Sequence, residues 1–142
     1  MIIDGMRATD RTVALVLAFY AAFNRRDWAG VLATLSEDVR HDVNQGGRES
    51  GRAAFQAFLD RHGKCYREEV RDLVVMTSPD GKHAAAEYTV HGEYVAAEDG
   101  LPAARNQKYQ LAGGAFFEVA DQRITRLTSY SNLQEWLRQV SR

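Results

Sequence analysis

The stretch from residue 39 to 51 holds the side chains best suited to acid–base chemistry. It reads Val-Arg-His-Asp-Val-Asn-Gln-Gly-Gly-Arg-Glu-Ser-Gly and contains the chain's only adjacent His-Asp pair, His41-Asp42. A carboxylate in a dry cavity has a raised pKa and can accept a proton near neutral pH. We therefore predict that Asp42 is a catalytic base. The alternative is a structural carboxylate that caps Gly46-Gly47 or is paired to Arg40 or Arg48.

The direction of each side chain on this short strand decides which of them can reach a ligand. Successive side chains of a strand point to opposite faces, so His41 and Asp42 cannot both enter a cavity without a bulge. We predict that Asp42 and Asn44 point inward and that His41 points outward. The other predicted ligand contacts are aromatic: Tyr20, Phe58, Tyr88 and Tyr130.

Two of these aromatic residues could also take part in the chemistry. The hydroxyl of Tyr20 or Tyr130 could donate a hydrogen bond to a developing enolate oxygen. For Tyr130 the alternative is packing at the cavity rim. His62 on the third helix could line the mouth of the cavity, but a lone histidine is more often a surface residue, and we expect it at the surface. Cys65 is expected to be inert.

The composition argues against polyanionic partners and against a metal or cofactor. The 18 Lys and Arg residues nearly balance the 19 Asp and Glu residues, so neither nucleic acid nor a membrane surface is expected as a partner. The longest apolar stretch, residues 13–23, is too short to cross a bilayer, and no signal-peptide pattern is present. One cysteine allows no intrachain disulfide, and a cytoplasmic location fits. No metal-ligand spacing or glycine-rich phosphate loop occurs, so no metal and no cofactor are predicted.

Hydrophobic periodicity predicts four helices. The first covers about 10–24 with Thr9 as its N-cap, and Asp27 caps a short second one. The third covers about 52–66, and Asn132 caps a last one over 133–140. Residues 1–8 are expected to form a loose arm.

Strand periodicity dominates the second half of the chain. A strand over 39–44 precedes the third helix, and four more follow it, over 70–76, 83–95, 107–119 and 124–131. The glycine pair 113–114 predicts a bulge or bend in the fourth of these five strands. Helices segregated from an antiparallel meander indicate one α+β domain over residues 1–142. A strongly bent sheet around the helices would form a cone with an open mouth, a natural ligand site.

Several segments together resemble a known family. They are residues 20–28, 35–39, 41–42, 46–51 and 122–130. With them the chain resembles the nuclear transport factor 2-like (NTF2-like) superfamily, in the branch of ketosteroid isomerases and SnoaL-like polyketide cyclases. The resemblance covers nearly the whole chain and implies the cone-shaped fold. It also implies a homodimer, since members of this fold commonly pair through the open sheet face.

The resemblance also implies where an isomerase would place its proton-moving aspartate. That position falls on Asp42 when the alignment is anchored on Gly51, and on Val43 when it is anchored on Leu35. Because side chains alternate along a strand, these two alignments place the aspartate position on opposite faces of the strand.

The other two isomerase positions are less well matched. The family's helical tyrosine falls on Phe19, beside Tyr20. Its oxyanion-binding aspartate falls on Gly114 or Ala115, and no acid follows before Glu118. A 3-oxosteroid isomerase that works in the usual way is therefore not expected. The resemblance and the carboxylate of Asp42 instead predict a cofactor-free enzyme of the isomerase–cyclase type that acts on a small apolar carbonyl compound. The alternatives are a noncatalytic domain that binds such a molecule and, less well supported, a protein-interaction module.

Overall fold

The computed structural model describes residues 7–44 and 46–142. Its elements in chain order are α1 (Ala8–Asn24), α2 (Trp28–Ala33), β1 (Leu35–Val43), β2 (Arg48–Ser50), α3 (Arg52–Cys65), β3 (Tyr66–Thr77), β4 (His83–Tyr94), β5 (Gln107–Ala120), β6 (Arg123–Ser131) and α4 (Leu133–Val140). The strands form one six-stranded sheet in the order β2-β1-β6-β5-β4-β3. All neighbours are antiparallel except β1 and β6, which run parallel. The predicted α+β class is confirmed, and the sheet is mixed and does not close.

Two of the three predicted helix caps are confirmed. Asp27 accepts a hydrogen bond from the Gly30 N–H at 2.9 Å, and Asn132 accepts one from the Glu135 N–H at 3.0 Å. The predicted cap at Thr9 is wrong, because α1 already begins at Ala8, the last residue of the predicted loose arm. Residues 1–6 of that arm lie outside the described residues.

The strands are longer than periodicity predicts. β1 begins at Leu35 and β3 at Tyr66, each four residues ahead of the predicted start. The short strand β2 had no separate prediction. The bulge predicted at Gly113 and Gly114 is wrong, because both residues pair in unbroken register with β4 and β6.

The core consists of two clusters on the inner face of the sheet. The larger cluster joins α1, α2 and α3 to the sheet and contains fully buried side chains such as Val16, Leu35 and Phe117. The smaller cluster is aromatic and packs Trp136 of α4 against Tyr66, Tyr94 and Tyr109. Since the helices cover only part of the inner face, a cavity remains beneath them.

The end of α1 is joined to the first strand of the meander by a side chain. The amide of Asn24 donates to the Val70 carbonyl at 3.0 Å and accepts from the Val70 N–H at 2.8 Å. This pair of bonds fixes β3 against α1, and therefore sets the position of the residues that β3 contributes to the cavity. No helix within the described ranges has the length and hydrophobicity needed to span a membrane.

Candidate active site

A cavity of about 350 Å³ lies between the inner sheet face and the helices α1, α3 and α4. Most of its lining is apolar or aromatic, including Phe19, Phe23, Phe55, Phe58, Leu59, Val70, Val90, Leu111, Leu127 and Trp136. Its polar lining comes mainly from His41, His62, Glu68, Glu98 and several tyrosines. A few polar groups in an apolar enclosure are typical of small-molecule sites.

The structure reverses the predicted orientation of β1. His41 and Val43 line the cavity, and His41 is only 3% exposed. Asp42 and Asn44 are not among the cavity-lining residues. The prediction that Asp42 and Asn44 point inward and His41 outward is therefore wrong. The physical reason is the alternation along the strand, in which His41 shares the face of the fully buried Val39.

Asp42 instead belongs to an ion pair on the outer face of the sheet. Its carboxylate accepts hydrogen bonds from Arg48 at 2.6 and 3.0 Å and from the Thr128 hydroxyl at 2.8 Å. These contacts, chiefly the hydrogen bond from Arg48, lower the pKa of Asp42 to about 2. A carboxylate held this way is a poor base, and it matches the structural alternative stated for this residue.

Asn44 has a backbone role at the end of β1. It adopts a left-handed conformation with φ of 52°, which asparagine tolerates better than most residues. Its N–H donates to the Ser129 carbonyl at 2.9 Å, and its side-chain oxygen accepts from the Ser131 N–H at 3.2 Å. Asn44 thereby ties the end of β1 to β6.

The other four predicted contacts line the cavity. Phe58 reaches it from α3, and Tyr130, which is 47% exposed, stands at its edge. Tyr20 and Tyr88 pack together with ring centroids 5.4 Å apart. Burial raises the pKa of the Tyr20 hydroxyl well above its ordinary value, and the neighbouring Tyr88 adds to the effect. Both hydroxyls are therefore neutral hydrogen-bonding groups near neutral pH.

A hydrogen-bonded histidine–carboxylate pair lies in the cavity wall. The Nε2 atom of His62 on α3 lies 2.8 Å from a carboxylate oxygen of Glu68 on β3. The hydroxyl of Tyr109 donates to the other carboxylate oxygen at 2.5 Å. The side chains of His62 and Glu68 are only 19% and 15% exposed. The expectation that His62 is a surface residue is therefore wrong.

The donors around Glu68 keep it ionised in an apolar wall. Burial alone raises the pKa of Glu68, but its interactions with His62 and the hydrogen bond from Tyr109 outweigh burial, so the net pKa is lowered. An ionised carboxylate can only accept hydrogen bonds, so the Nε2 atom of His62, which faces Glu68, must carry a proton. The second ring nitrogen, Nδ1, has no hydrogen-bond partner among the described residues.

Aromatic rings hold His62 in place on both sides. The imidazole stacks on Phe58 with centroids 5.5 Å apart and on Tyr66 with centroids 4.8 Å apart. Tyr66 in turn donates its hydroxyl to Glu98, which lies in the loop between β4 and β5. Burial and the Glu98 carboxylate both raise the pKa of Tyr66. The orientation of the His62 ring is therefore set by packing.

Sequence reasoning missed Glu68 and undervalued His62, although both carried a signal. Helical spacing puts His62 on the same face as Phe55, Phe58 and Leu59, which pack in the core or line the cavity. Glu68 lies two residues before Val70 and therefore shares the inner face of β3. This placement can be inferred only when the strand is taken to begin at Tyr66. Within the described part of the chain, no group of three His, Cys, Asp or Glu side chains is arranged to hold a metal ion.

Comparisons with known proteins agree with this architecture. Residues 16–127 match the family model of the SnoaL-like domain. A proposed polyketide cyclase from Xanthomonas campestris is 55% identical, with a TM-score of 0.91 over 94% of this chain and 98% of that one. A proposed polyketide cyclase from Pseudomonas putida is 52% identical, with a TM-score of 0.89 over 96% of this chain and 99% of that one.

More distant similarity concerns the fold alone. An LEH-like epoxide hydrolase from M. tuberculosis is 21% identical, with a TM-score of 0.78 over 96% of this chain and 89% of that one. No curated protein matches the sequence.

Proposed function

Since the chain belongs to the SnoaL-like domain family of the NTF2-like superfamily, we propose that it is a cofactor-free proton-transfer enzyme of the isomerase–cyclase type. Its substrate is a small, mainly apolar carbonyl compound that binds in the cavity. The observation that carries this proposal is the His62–Glu68 pair in a cavity wall that is otherwise mostly aromatic and aliphatic. The cyclase names of the two similar proteins support the same reaction class.

His62 is the proposed base. Glu68 holds the Nε2–H, which leaves the Nδ1 lone pair to take a proton from the carbon next to the substrate carbonyl. The imidazolium formed in this step is stabilised by the adjacent Glu68 carboxylate. Returning the proton to another atom of the substrate completes an isomerisation. In a ring closure the enolate carbon attacks a second carbonyl group, and the imidazolium returns its proton to the alkoxide formed there.

The proposal reassigns the base from Asp42 to His62. His62 forms a hydrogen bond with the buried carboxylate of Glu68 in the cavity wall. Asp42 instead pairs with Arg48 on the opposite face of the sheet. Positioned general bases contribute about 10² to 10⁴ in rate, and replacing His62 should remove an effect of that size.

The test is deuterium exchange at the α-carbon of a bicyclic ketone, 2-tetralone, in D₂O, followed by NMR. Wild-type protein should accelerate exchange over buffer, and His62→Gln should lower the rate at least about 100-fold. His83→Gln, which alters an exposed histidine at the start of β4, is the matched control and should retain the wild-type rate. Equal rates for His62→Gln and wild type would contradict the assignment.

A noncatalytic binding domain is the second candidate. It is favoured by Gly114 and Ala115 on β5, the positions where the resemblance implies an oxyanion-binding acid. In that case ketones would bind in the cavity without any accelerated exchange. Saturable binding of 2-tetralone with exchange at the buffer rate would support this candidate over the enzyme.

We also propose that the protein forms a homodimer through the outer sheet face. A cross-strand row on that face runs from Met76 through Ala85 to Phe116. Met76 on β3 and Phe116 on β5, the two strands that flank β4, are 49% and 50% exposed, which is high for large apolar side chains. A second copy of the chain would cover them.

A further inference from the structure

His41 is a buried histidine that the proposed reaction does not use. It lines the cavity, is 3% exposed, and packs its ring 4.6 Å from the Phe55 ring and 4.7 Å from the Phe58 ring. Its Nδ1 atom is buried and has no hydrogen-bond partner within residues 7–44 and 46–142. Nε2 also has no partner among the described residues but is not shielded in the same way, so it is the nitrogen open to a ligand. Buried polar atoms without partners are uncommon and call for an explanation.

A second unpartnered atom lies on the residue that pairs with His41. The β1–β2 register places His41 opposite Glu49 and Asp42 opposite Arg48. Because Asp42 and Arg48 form their ion pair on the outer face, His41 and Glu49 share the inner face. The Oε1 atom of Glu49 is buried and has no partner in the described part of the chain, while Oε2 lies 3.8 Å from Nη2 of Arg61 on α3.

The groups around His41 favour a neutral ring in the empty cavity. Burial lowers the pKa of His41, and the negative charges of Glu49 and Asp42 only partly offset that effect. The elements packed against the ring add no further charge at contact distance, since α3 presents Phe55 and Phe58, and β6 pairs Leu127 with His41. A neutral imidazole carries one N–H and cannot donate to both a ligand and Glu49.

We propose that His41 is an anion-binding residue that takes up a proton when an oxyanion enters the cavity, with Glu49 as its positioning residue. In the protonated ring, Nε2–H donates to the ligand oxyanion. The Glu49 side chain makes no hydrogen bond to the ring in this structure, and it turns on binding so that Oε1 accepts from Nδ1–H. Both buried atoms are then satisfied. The proton comes from solvent, and no covalent bond to the ligand forms.

The arrangement specifies a ligand class. It suits an aromatic or alicyclic carboxylate or enolate, whose apolar body fits the aromatic wall and whose negative oxygen meets His41. Phe58 separates His41 from His62, with its ring 4.7 Å from the first and 5.5 Å from the second. Under the proposed function, on which this reading of the ligand rests, His62 would remove a proton and His41 would bind the enolate oxygen formed nearby.

The experiment measures proton uptake on binding of 2-naphthoate at pH 7.5, by calorimetry in buffers that differ in ionisation enthalpy. Wild-type protein should take up close to one proton for each naphthoate bound. His41→Gln should abolish the uptake and weaken binding roughly tenfold or more. Glu49→Gln should reduce both, and His83→Gln should leave both unchanged. The uncharged 2-naphthaldehyde should bind all four proteins without proton uptake.

Three outcomes would overturn the inference. They are naphthoate binding without proton uptake, uptake of the same size in His41→Gln, and naphthoate affinity no greater than that of the aldehyde. The second outcome would mean that the naphthoate carboxylate itself takes up the proton. A direct readout is the ¹⁵N shift of the His41 ring, which should change from neutral imidazole to imidazolium on binding.

This test is separate from that of the proposed function. Naphthoate binding requires no turnover, and His62→Gln should lose ketone exchange while still showing proton uptake. Absence of exchange together with His41-dependent uptake would refute the enzyme and keep the anion site. Exchange without His41-dependent uptake would do the reverse.

Discussion

Replacing Gly92 with alanine should disrupt the candidate site from outside the cavity lining. In the sheet, Gly92 of β4 lies between Glu68 of β3 and Tyr109 of β5. The Tyr109 ring crosses over Gly92 to reach Glu68. A Cβ atom at position 92 would lie 2.2 Å from Cζ, 2.3 Å from Cε2 and 2.5 Å from the hydroxyl oxygen of that ring. Carbon atoms in contact are normally about 3.5–4.0 Å apart, so the ring must move by about 1 Å or more.

The cost of Gly92→Ala follows from two losses. The Tyr109 ring is 3% exposed and packs edge-on against Trp136, so displacing it overpacks a filled region at about 1–3 kcal/mol. Its hydrogen bond to the ionised Glu68 is worth about 1.5–3 kcal/mol. We expect a loss of about 3 kcal/mol in the free energy of unfolding. For a chain of 142 residues this lowers Tm by roughly 10 °C.

The change should also alter the response to pH. Loss of the Tyr109 donor raises the pKa of Glu68, because that hydrogen bond helps to hold it down. A carboxyl group with a lowered folded-state pKa adds stability above its unfolded pKa of about 4.3 and loses it as the pH falls. The wild type should therefore lose more stability than Gly92→Ala between about pH 5 and the lowered folded-state pKa of Glu68.

The assay is urea unfolding of Gly92→Ala, with Gly47→Ala as the matched control. A Cβ atom at Gly47 would meet nothing within 4 Å, so its alanine variant should stay within about 0.5 kcal/mol of wild type. In a Tyr109→Ala background, Gly92→Ala should cost little, because the ring is gone. The reasoning is refuted if Gly92→Ala matches wild type, or if its cost is the same in both backgrounds.

Three further predictions concern the outer face and the α1–β3 junction. Asp42→Asn should retain ketone exchange, and loss of exchange would return the base to Asp42. The same variant should lose less unfolding free energy than the wild type as the pH falls from about 4 to 2, because the Asp42 pKa of about 2 makes its ion pair stabilising above that window. Asn24→Ala should cost about 1–3 kcal/mol in urea unfolding, since it leaves both polar groups of the Val70 backbone without a side-chain partner; a neutral result would mean that water replaces the amide. Light scattering at micromolar concentration should give a dimer mass for wild type and a monomer mass for Phe116→Glu; a monomeric wild type would contradict the proposed interface.

Most of the fold could be predicted because its signals are local. The helical spacing of Val16, Tyr20 and Phe23 indicates α1, and the side chains of Asp27 and Asn132 cap the helices where their residue types suggest. The alternation of residue types along β4 is likewise local, and its buried side chains include Ala84, Ala86 and Tyr94. β2 was missed because a strand of three residues has too few positions for a period to be visible.

The prediction of a bulge at Gly113 and Gly114 was wrong because a glycine in a strand can have another cause. At Gly113, a side chain from the neighbouring strand occupies the position that a Cβ atom would take. A Cβ atom at Gly113 would lie 2.8 Å from the ring of Tyr88, its direct partner on β4. The glycine is therefore required by the close approach of a ring, as at Gly92. Such a need depends on the neighbouring strand and cannot be read from the glycine itself.

The cavity lining was predicted well for aromatic residues and poorly for charged ones. Tyr20, Phe58, Tyr88 and Tyr130 all line the cavity. Glu68 was missed because acidic residues on a strand are usually exposed, and its burial depends on donors from two other elements, His62 on α3 and Tyr109 on β5. Only the folded arrangement brings those donors together.

The orientation of β1 is decided by the free energy of burying its apolar side chains and exposing its charged ones. A resemblance to other sequences does not provide these free energies. Turning the strand over would expose Val39 and Val43 and bury Arg40 and Asp42. Each valine would lose about 1.5–3 kcal/mol of burial, and each buried charge would cost several kcal/mol more. That total is comparable with the whole stability of a domain, about 5–15 kcal/mol. A base that reaches the cavity from β1 must therefore be able to stay neutral, as burial favours for His41 by lowering its pKa. A carboxylate can enter only with its own donors, as Glu68 does with His62 and Tyr109.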